Sequence, residues 1–384
     1  MKVAKRTDAI APFYVMELLE KAKEMEASGR DIVHMEVGEP DFPTPFAIKE
    51  GAIQSIRSDR TFYTHSLGLP ELRARVSRHY RETDGLVVPP ERIVITNGTS
   101  GAFLLLFAAL LERGKSLGIS DPGYPCYKNI ASLLDCEILS IPVTEETRFE
   151  VTQDHLDALD RLPDLLVLAN PSNPTGAVYR EGTLSSLYGA LSAEDRLLVV
   201  DEIYLGLAYG DKPRSALAVS DDIIVVNGFS KAYAMTGWRL GWMVVPRELV
   251  RPIQKFAQNI YISPPSISQH AALYAFDNVG GLDRMRKTYE ERGGLMVPRL
   301  KDLGFRVPIK PEGAFYVYAG IERWGIDSMV FTERALNEAG VAFTPGYDFG
   351  SFRAGSHVRF SYATGIERLK EGCDRLKKWL AGLK

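Results

Sequence analysis

The run Gly228-Phe229-Ser230-Lys231-Ala232-Tyr233-Ala234-Met235-Thr236-Gly237-Trp238-Arg239-Leu240-Gly241 carries the strongest chemical signal in the chain. A lysine amine can form an imine with an aldehyde, and Ser230 and Arg239 beside it can hold a phosphate on the same small molecule. A lysine, a serine and an arginine spaced by small residues in this way are how a pyridoxal phosphate (PLP) site would look.

Three further strings have the right chemistry. Asn170-Pro171-Ser172-Asn173-Pro174-Thr175-Gly176 follows the apolar run Leu165 to Ala169, so its side chains stand at the carboxyl end of a strand. Its prolines fix the backbone and Gly176 allows the turn, which holds Asn173 rigidly as a hydrogen-bond donor. Asp201 ends the next apolar run, in Leu197-Leu198-Val199-Val200-Asp201-Glu202-Ile203-Tyr204. A carboxylate closing a hydrophobic strand needs a cationic partner or donors, and a protonated pyridine nitrogen would serve. Tyr204, three residues on, could reach the phenolic oxygen of the same ring alongside Asn173. Thr96-Asn97-Gly98-Thr99-Ser100-Gly101 lies between a strand and a helix, where exposed N–H groups and a positive dipole end suit a phosphate. Alone, each string also has a plain structural meaning: a Pro/Asn turn, a helix-capping aspartate, a capped helix start. Gly114-Lys115-Ser116 is no nucleotide loop, because position 109 is Ala and the string follows a helix.

The elements that must position these residues are legible as alternating runs. Ile93 to Thr96, Leu165 to Ala169, Leu197 to Asp201 and Ile223 to Val226 read as buried strands of a mostly parallel sheet. Helical periodicity covers Ser100 to Leu111, Gly182 to Leu191 and Leu249 to Ile260 between them. Such alternation predicts an α/β fold with ligands gathered at the carboxyl ends of its strands. From about Gly281 the pattern changes to a long polar helix (about Leu282 to Leu303), strands at Phe315 to Ala319 and His357 to Tyr362, and a basic amphipathic helix. This reads as a smaller α+β unit. The expected division is 1–45 as an N-terminal arm and part of the small domain, 46–281 as the large domain, and 282–384 as the small C-terminal domain.

Composition excludes several function classes. Across 384 residues, 46 Lys plus Arg against 49 Asp plus Glu leave a net charge of −3, so no electrostatic argument favours nucleic acid or an anionic membrane. The apolar stretches fall far short of the roughly twenty residues that span a bilayer. Met1 to Asp8 is charged with no apolar core after it, so no secretory signal is expected. Three cysteines without metal-ligand or CxxC spacing fit reduced thiols in a cytosol. The six scattered histidines suggest no metal centre.

Taken together and in this order, the NPSNPTG, DEIY and SKAYAMTGWRLG strings resemble those of the class I/II aminotransferases, the aspartate aminotransferase-like PLP enzymes of fold type I. The likeness runs from Val37-Gly38-Glu39-Pro40-Asp41-Phe42 to Val358-Arg359-Phe360-Ser361-Tyr362-Ala363. It implies that Lys231 forms the internal aldimine with PLP and moves the substrate Cα proton, that Asp201 pairs with the pyridinium nitrogen, and that Asn173 and Tyr204 bond the ring oxygen O3′. It further implies a phosphate cup of Thr99, Ser100, Ser230 and Arg239, and Tyr124 stacked on the pyridine face. Arg359 would clamp the substrate α-carboxylate, with Gly38 and Asn173 helping. Tyr63, in Phe62-Tyr63-Thr64-His65, matches a tyrosine that reaches the phosphate of a neighbouring subunit, so a homodimer is implied. The activity implied is ping-pong exchange of an amino group between an L-amino acid and a 2-oxo acid. Glutamate and 2-oxoglutarate form the expected shared pair, with aspartate, alanine or an aromatic amino acid on the other side.

Two departures bear on specificity. Tyr124 stands where aspartate-specific relatives often carry Trp, and Ser100 where some bacterial aspartate and prephenate aminotransferases carry a lysine that reads an acidic side chain. Ile10-Ala11-Pro12-Phe13-Tyr14 is expected near the pocket mouth, with Tyr261 and Phe343 nearby, which admits an apolar or aromatic donor. The same fold and site also run C–S lyase and other eliminations. An aminotransferase-like regulator is disfavoured, because Gly38-Glu39-Pro40 comes too early to leave room for a DNA-binding domain ahead of it.

Overall fold

The protein is described by a computed structural model covering residues 2–383. Its centre is a seven-stranded sheet in the order Ile93–Thr96, Gly241–Val244, Ile224–Gly228, Leu197–Asp201, Leu165–Ala169, Ser116–Asp121, Glu137–Pro142. All neighbours are parallel except Gly241–Val244, which runs antiparallel to both strands beside it. Three of the strands expected from sequence coincide with those observed, and the fourth lies at Ile224–Gly228. These strands are near-continuous Val, Ile and Leu because both faces are covered. Leu165 and Val167 pack with the helices Gly98–Leu110, Cys126–Leu133 and Arg247–Ile260 on one face. Leu166 and Leu168 alternate to the other face, against Leu184, Leu187 and Leu191 of the Glu181–Ser192 helix.

A second, smaller sheet has the antiparallel order Thr344–Pro345, His357–Ser361, Tyr316–Gly320. It packs with the long helix Val279–Asp302, and the C-terminal helix Ile366–Ala381 lies against that helix and against Val33–His34. Early residues join this part of the molecule: Val33–His34 pairs in parallel with Val341–Ala342, and the helix Tyr14–Ala27 lies against Thr344–Pro345. Among the described residues no helix is long and apolar enough to cross a membrane, and no cluster of His, Cys, Asp and Glu is placed to hold a metal ion. All three cysteines are free thiols.

Candidate active site

Five strand ends of the large sheet deliver their following residues to one crevice. Thr99 and Ser100 come after Ile93–Thr96, Tyr124 after Ser116–Asp121, and Asn173 after Leu165–Ala169. Asp201 closes its own strand, and Ser230 and Lys231 follow Ile224–Gly228. Together with Gly38, Tyr204, Arg239 and Arg359 these residues line one cavity of about 580 Å³. The opening of an α/β sheet at its carboxyl ends is where such a cavity is expected.

The loop carrying Lys231 is held tightly. Gly228 pairs with Gly241 across the two adjacent strands, and the Phe229 N–H donates to the Leu240 carbonyl at 3.2 Å. Within the loop Ala234 and Arg239 both sit in the left-handed region, at φ of 51° and 52°. Such backbone strain persists only where surrounding contacts impose it. The Thr44 hydroxyl supplies one of them, donating to the Ala234 carbonyl at 2.6 Å and accepting from the Trp238 indole at 3.0 Å.

Lys231 Nζ donates to the Gly38 carbonyl at 2.5 Å and lies 5.9 Å from the Tyr204 ring centre. Burial is the main force lowering its pKa from the ordinary 10.5 to about 8; Glu39 and Asp201 oppose the fall, and Arg359 and Arg239 add to it. Asp201 is almost fully buried and has no ion-pair partner among the described residues. Its carboxylate accepts from the Tyr127 hydroxyl at 2.7 Å and from the Ile203 N–H at 3.1 Å. Burial still wins and raises its pKa to about 6. A cation next to Asp201 would reverse that balance.

Arg359, 3 % exposed, lies between the rings of Tyr316 and Phe349, with its guanidinium carbon 4.2 and 4.7 Å from their centres. It donates to Asn173 Oδ1 at 2.9 Å and to the Glu36 carbonyl at 2.5 Å, while its Nε is buried without a partner. Arg239 is exposed, unlike the buried Arg359. It donates to the Thr236 carbonyl at 3.0 Å, pairs with no carboxylate among the described residues, and faces Gly98 at the start of the Gly98–Leu110 helix. A Cβ on Gly98 would come within 2.7 Å of Arg239 Nη2, and Gly98 has a φ of 72°. Glycine is therefore needed there twice, for its conformation and for the close approach of the arginine.

These observations test whether PLP fits. An unpaired guanidinium beside a helix N-terminus and Ser230 suits a phosphate dianion. A buried carboxylate lacking a cation suits a pyridinium nitrogen, and an amine of lowered pKa suits an aldehyde. The residues fit the group.

Not every expected residue is here. Tyr63, expected to serve a neighbouring subunit, is 78 % exposed and lies outside this chain's cavity. Phe343 is a correction: it stacks on Phe360 at 4.4 Å in the core of the small sheet. Tyr261 lies near the cavity without lining it: its hydroxyl contacts the Gly101 carbonyl at 3.4 Å, beside the lining residue Ser100. Of the Ile10–Tyr14 segment only Phe13 lines it, followed by Val15 and Met16. Two tyrosines went unread in the sequence. Tyr127 holds Asp201, and Tyr316 exchanges a 2.7 Å hydrogen bond with Tyr204. Nothing in their sequence neighbourhood distinguishes them from packing tyrosines.

The family profile for aminotransferase class I and II matches residues 30–376. The chain belongs to this family. The valine–pyruvate aminotransferase of Mycobacterium tuberculosis is 38 % identical over 97 % of both chains, and the aspartate aminotransferase of Bacillus subtilis is 31 % identical over 99 % of both. A solved aminotransferase structure from Mycobacterium tuberculosis superposes with a TM-score of 0.96 at 37 % identity, each chain fully covered. The protein is thus a transaminase of PLP-dependent fold type I, as its motifs imply. The two named relatives share its architecture and differ in the amino acid they are named for.

Proposed function

We propose that this aminotransferase exchanges an amino group between an apolar L-amino acid, aliphatic or aromatic, and a 2-oxo acid, with glutamate and 2-oxoglutarate as the shared pair. The observation that carries the donor class is the cavity lining. Its basic residues are Lys231, Arg239 and Arg359 alone, and each has a task elsewhere than on a substrate side chain. Phe13, Val15, Met16 and Val37 supply apolar surface. The side-chain carboxylate of glutamate, and equally of aspartate, would need a cation brought by another subunit, so the lining of this chain selects only the apolar donor.

The roles follow from position. Bound PLP supplies an aldehyde that takes up the amino group and a ring that accepts the electron pair left at the substrate Cα. Arg239, Ser230, Thr99 and Ser100 hold its phosphate, Asp201 its ring nitrogen, Asn173 and Tyr204 its ring oxygen, and Tyr124 packs on its face. Arg359 binds the substrate α-carboxylate as a planar fork, with Gly38 and Asn173 beside it. Lys231, neutral above about pH 8, takes the Cα proton and returns it on the other side of the reaction. Tyr316 anchors the Tyr204 hydroxyl.

A homodimer belongs to the same reading, with residues 46–281 as the large domain, and the free thiols agree with a cytosolic location. Phe46, Ile53 and Ile56 of the Phe46–Arg57 helix, with Phe62, Tyr63 and Ile262, are exposed. Thr64 is hydrogen-bonded to Ser263, which brings the last three together. Exposed large apolar side chains such as these suit an interface, and pairing there would carry Tyr63 toward the second site.

The purified protein with PLP should show the absorbance of the bound cofactor, and valine, alanine or phenylalanine should bleach it when no oxo acid is present. Bleaching by aspartate alone would overturn the donor class. Release of pyruvate and ammonia without an acceptor would make the enzyme a lyase. Sedimentation equilibrium should give the mass of two chains, and a single-chain mass in the active protein would remove the dimer.

A further inference from the structure

One buried carboxylate near the cavity has no part in the roles above. Asp348, 3 % exposed, lies in the turn that follows Thr344–Pro345. Its Oδ1 accepts the backbone N–H of Tyr14 at 2.9 Å, across 334 positions of sequence. Tyr14 is the first residue of the Tyr14–Ala27 helix, and the residue before it, Phe13, offers no capping side chain. Helix N-termini leave N–H groups that need an acceptor. Here the acceptor comes from the other end of the chain, and its charge complements the helix dipole.

What the helix start carries gives this cap its consequence. Phe13, Val15 and Met16 line the cavity, and the Phe13 ring meets Tyr124 edge-on with centres 6.4 Å apart. Among the described residues ahead of Phe13, Arg6 donates to the Leu133 carbonyl at 2.9 Å. Asp348 itself is on firm ground. Its neighbour Phe349 packs on Arg359 and its carbonyl accepts from the Gly123 N–H at 2.8 Å. Asp121, at the end of a large-sheet strand, accepts from the Ser351 and Phe352 N–H groups at 3.0 and 3.1 Å. The turn is therefore fixed to the carboxylate-binding arginine and to the large sheet at once.

We infer that Asp348 is a positioning residue for the substrate side chain: it fastens the first turn of the Tyr14–Ala27 helix so that Phe13, Val15 and Met16 form an apolar wall over the cavity. This rests on the reading of the cavity as an amino-acid site. Asp348 touches neither substrate nor cofactor; it acts through the helix start, and its charge also faces Arg359. Its loss weakens recognition of the apolar donor while cofactor capture stays intact.

Two variants probe the bond from its two ends. Asp348→Ala removes the acceptor. Tyr14→Pro removes the donor while leaving the helix, since proline is favoured at the first helical position and Phe13 already has the extended conformation, φ −86° and ψ 93°, that precedes proline. Hydrogen exchange on the holoenzyme, followed by mass spectrometry of peptides spanning 13–18, should run at least about tenfold faster in Asp348→Ala, with peptides from the large sheet unchanged. In both variants KM for valine should rise about tenfold or more, with PLP affinity and kcat within about twofold of the parent enzyme, and Asp348→Asn, which keeps an acceptor, should recover most of the loss. Unchanged exchange in Asp348→Ala, or an unchanged KM in a folded Tyr14→Pro enzyme, would overturn the inference. Failure of the parent enzyme to accept any amino acid would instead remove the functional reading, and the exchange result would still decide whether Asp348 holds the helix.

Discussion

Replacing Lys231 with alanine is expected to reduce turnover by about a thousandfold or more, the scale on which positioned acid–base and nucleophilic groups act. The same change should raise the thermal midpoint of the cofactor-free protein. The sign follows from linkage. Burial lowers the folded-state pKa of Lys231 to about 8 from an ordinary 10.5, so between those values the unfolded chain binds more protons and folding is penalised below them. The penalty is complete at pH 7 and disappears above about pH 10.5. Calorimetry of parent and variant across that range should show the variant's advantage shrinking as pH rises. Retention of full turnover by Lys231→Ala would refute the proposed role. A midpoint difference independent of pH would refute the electrostatic account of the site.

Arg359 should show the opposite pattern, with recognition lost and cofactor kept. Truncating one partner of a desolvated, hydrogen-bonded charge pair costs about 2–5 kcal/mol, so Arg359→Ala should lower kcat/KM for the amino acid about thirtyfold to five-thousandfold. Arg359→Lys should remain at least about tenfold impaired. A lysine keeps the charge but cannot offer the planar fork, nor fill the slot between Tyr316 and Phe349 in the same way. PLP affinity measured by fluorescence quenching should change little, because Arg359 sits on the small sheet away from Arg239. An unaltered KM for the amino acid in either variant would remove Arg359 from the carboxylate site.

How far the sequence discloses this arrangement depends on the kind of contact involved. Strands such as Leu165–Ala169 and Leu197–Asp201 are legible to the residue, because burial on both faces demands an unbroken apolar run and polar residues end it abruptly. Gly241–Val244 is not, since Gly-Trp-Met-Val has no alternation and follows a loop rich in small residues. Glu137–Pro142 is an edge strand carrying exposed polar positions, which blurs the pattern further. Among the site residues, those whose function lies in a local string, such as Asn173, Asp201 and Lys231, could be chosen from that string. Tyr127 and Tyr316 matter only through partners 74 and 112 positions away, and Asp348 through one still more distant. Phe343 is the converse: plausible near a pocket by type, yet placed by packing in the core of the small sheet.

The reversal between Gly228 and Gly241 has one more implication. On the proposed roles, the amine that meets the cofactor's aldehyde and the guanidinium that meets its phosphate ride on one loop, pinned at both ends by paired strands. The residue that meets the substrate belongs to a different sheet, and the apolar wall to a helix fastened there. Cofactor handling and substrate choice are in this sense separately inherited parts. A change in the wall would leave the loop untouched, and relatives at 31–38 % identity are named for valine in one case and aspartate in another.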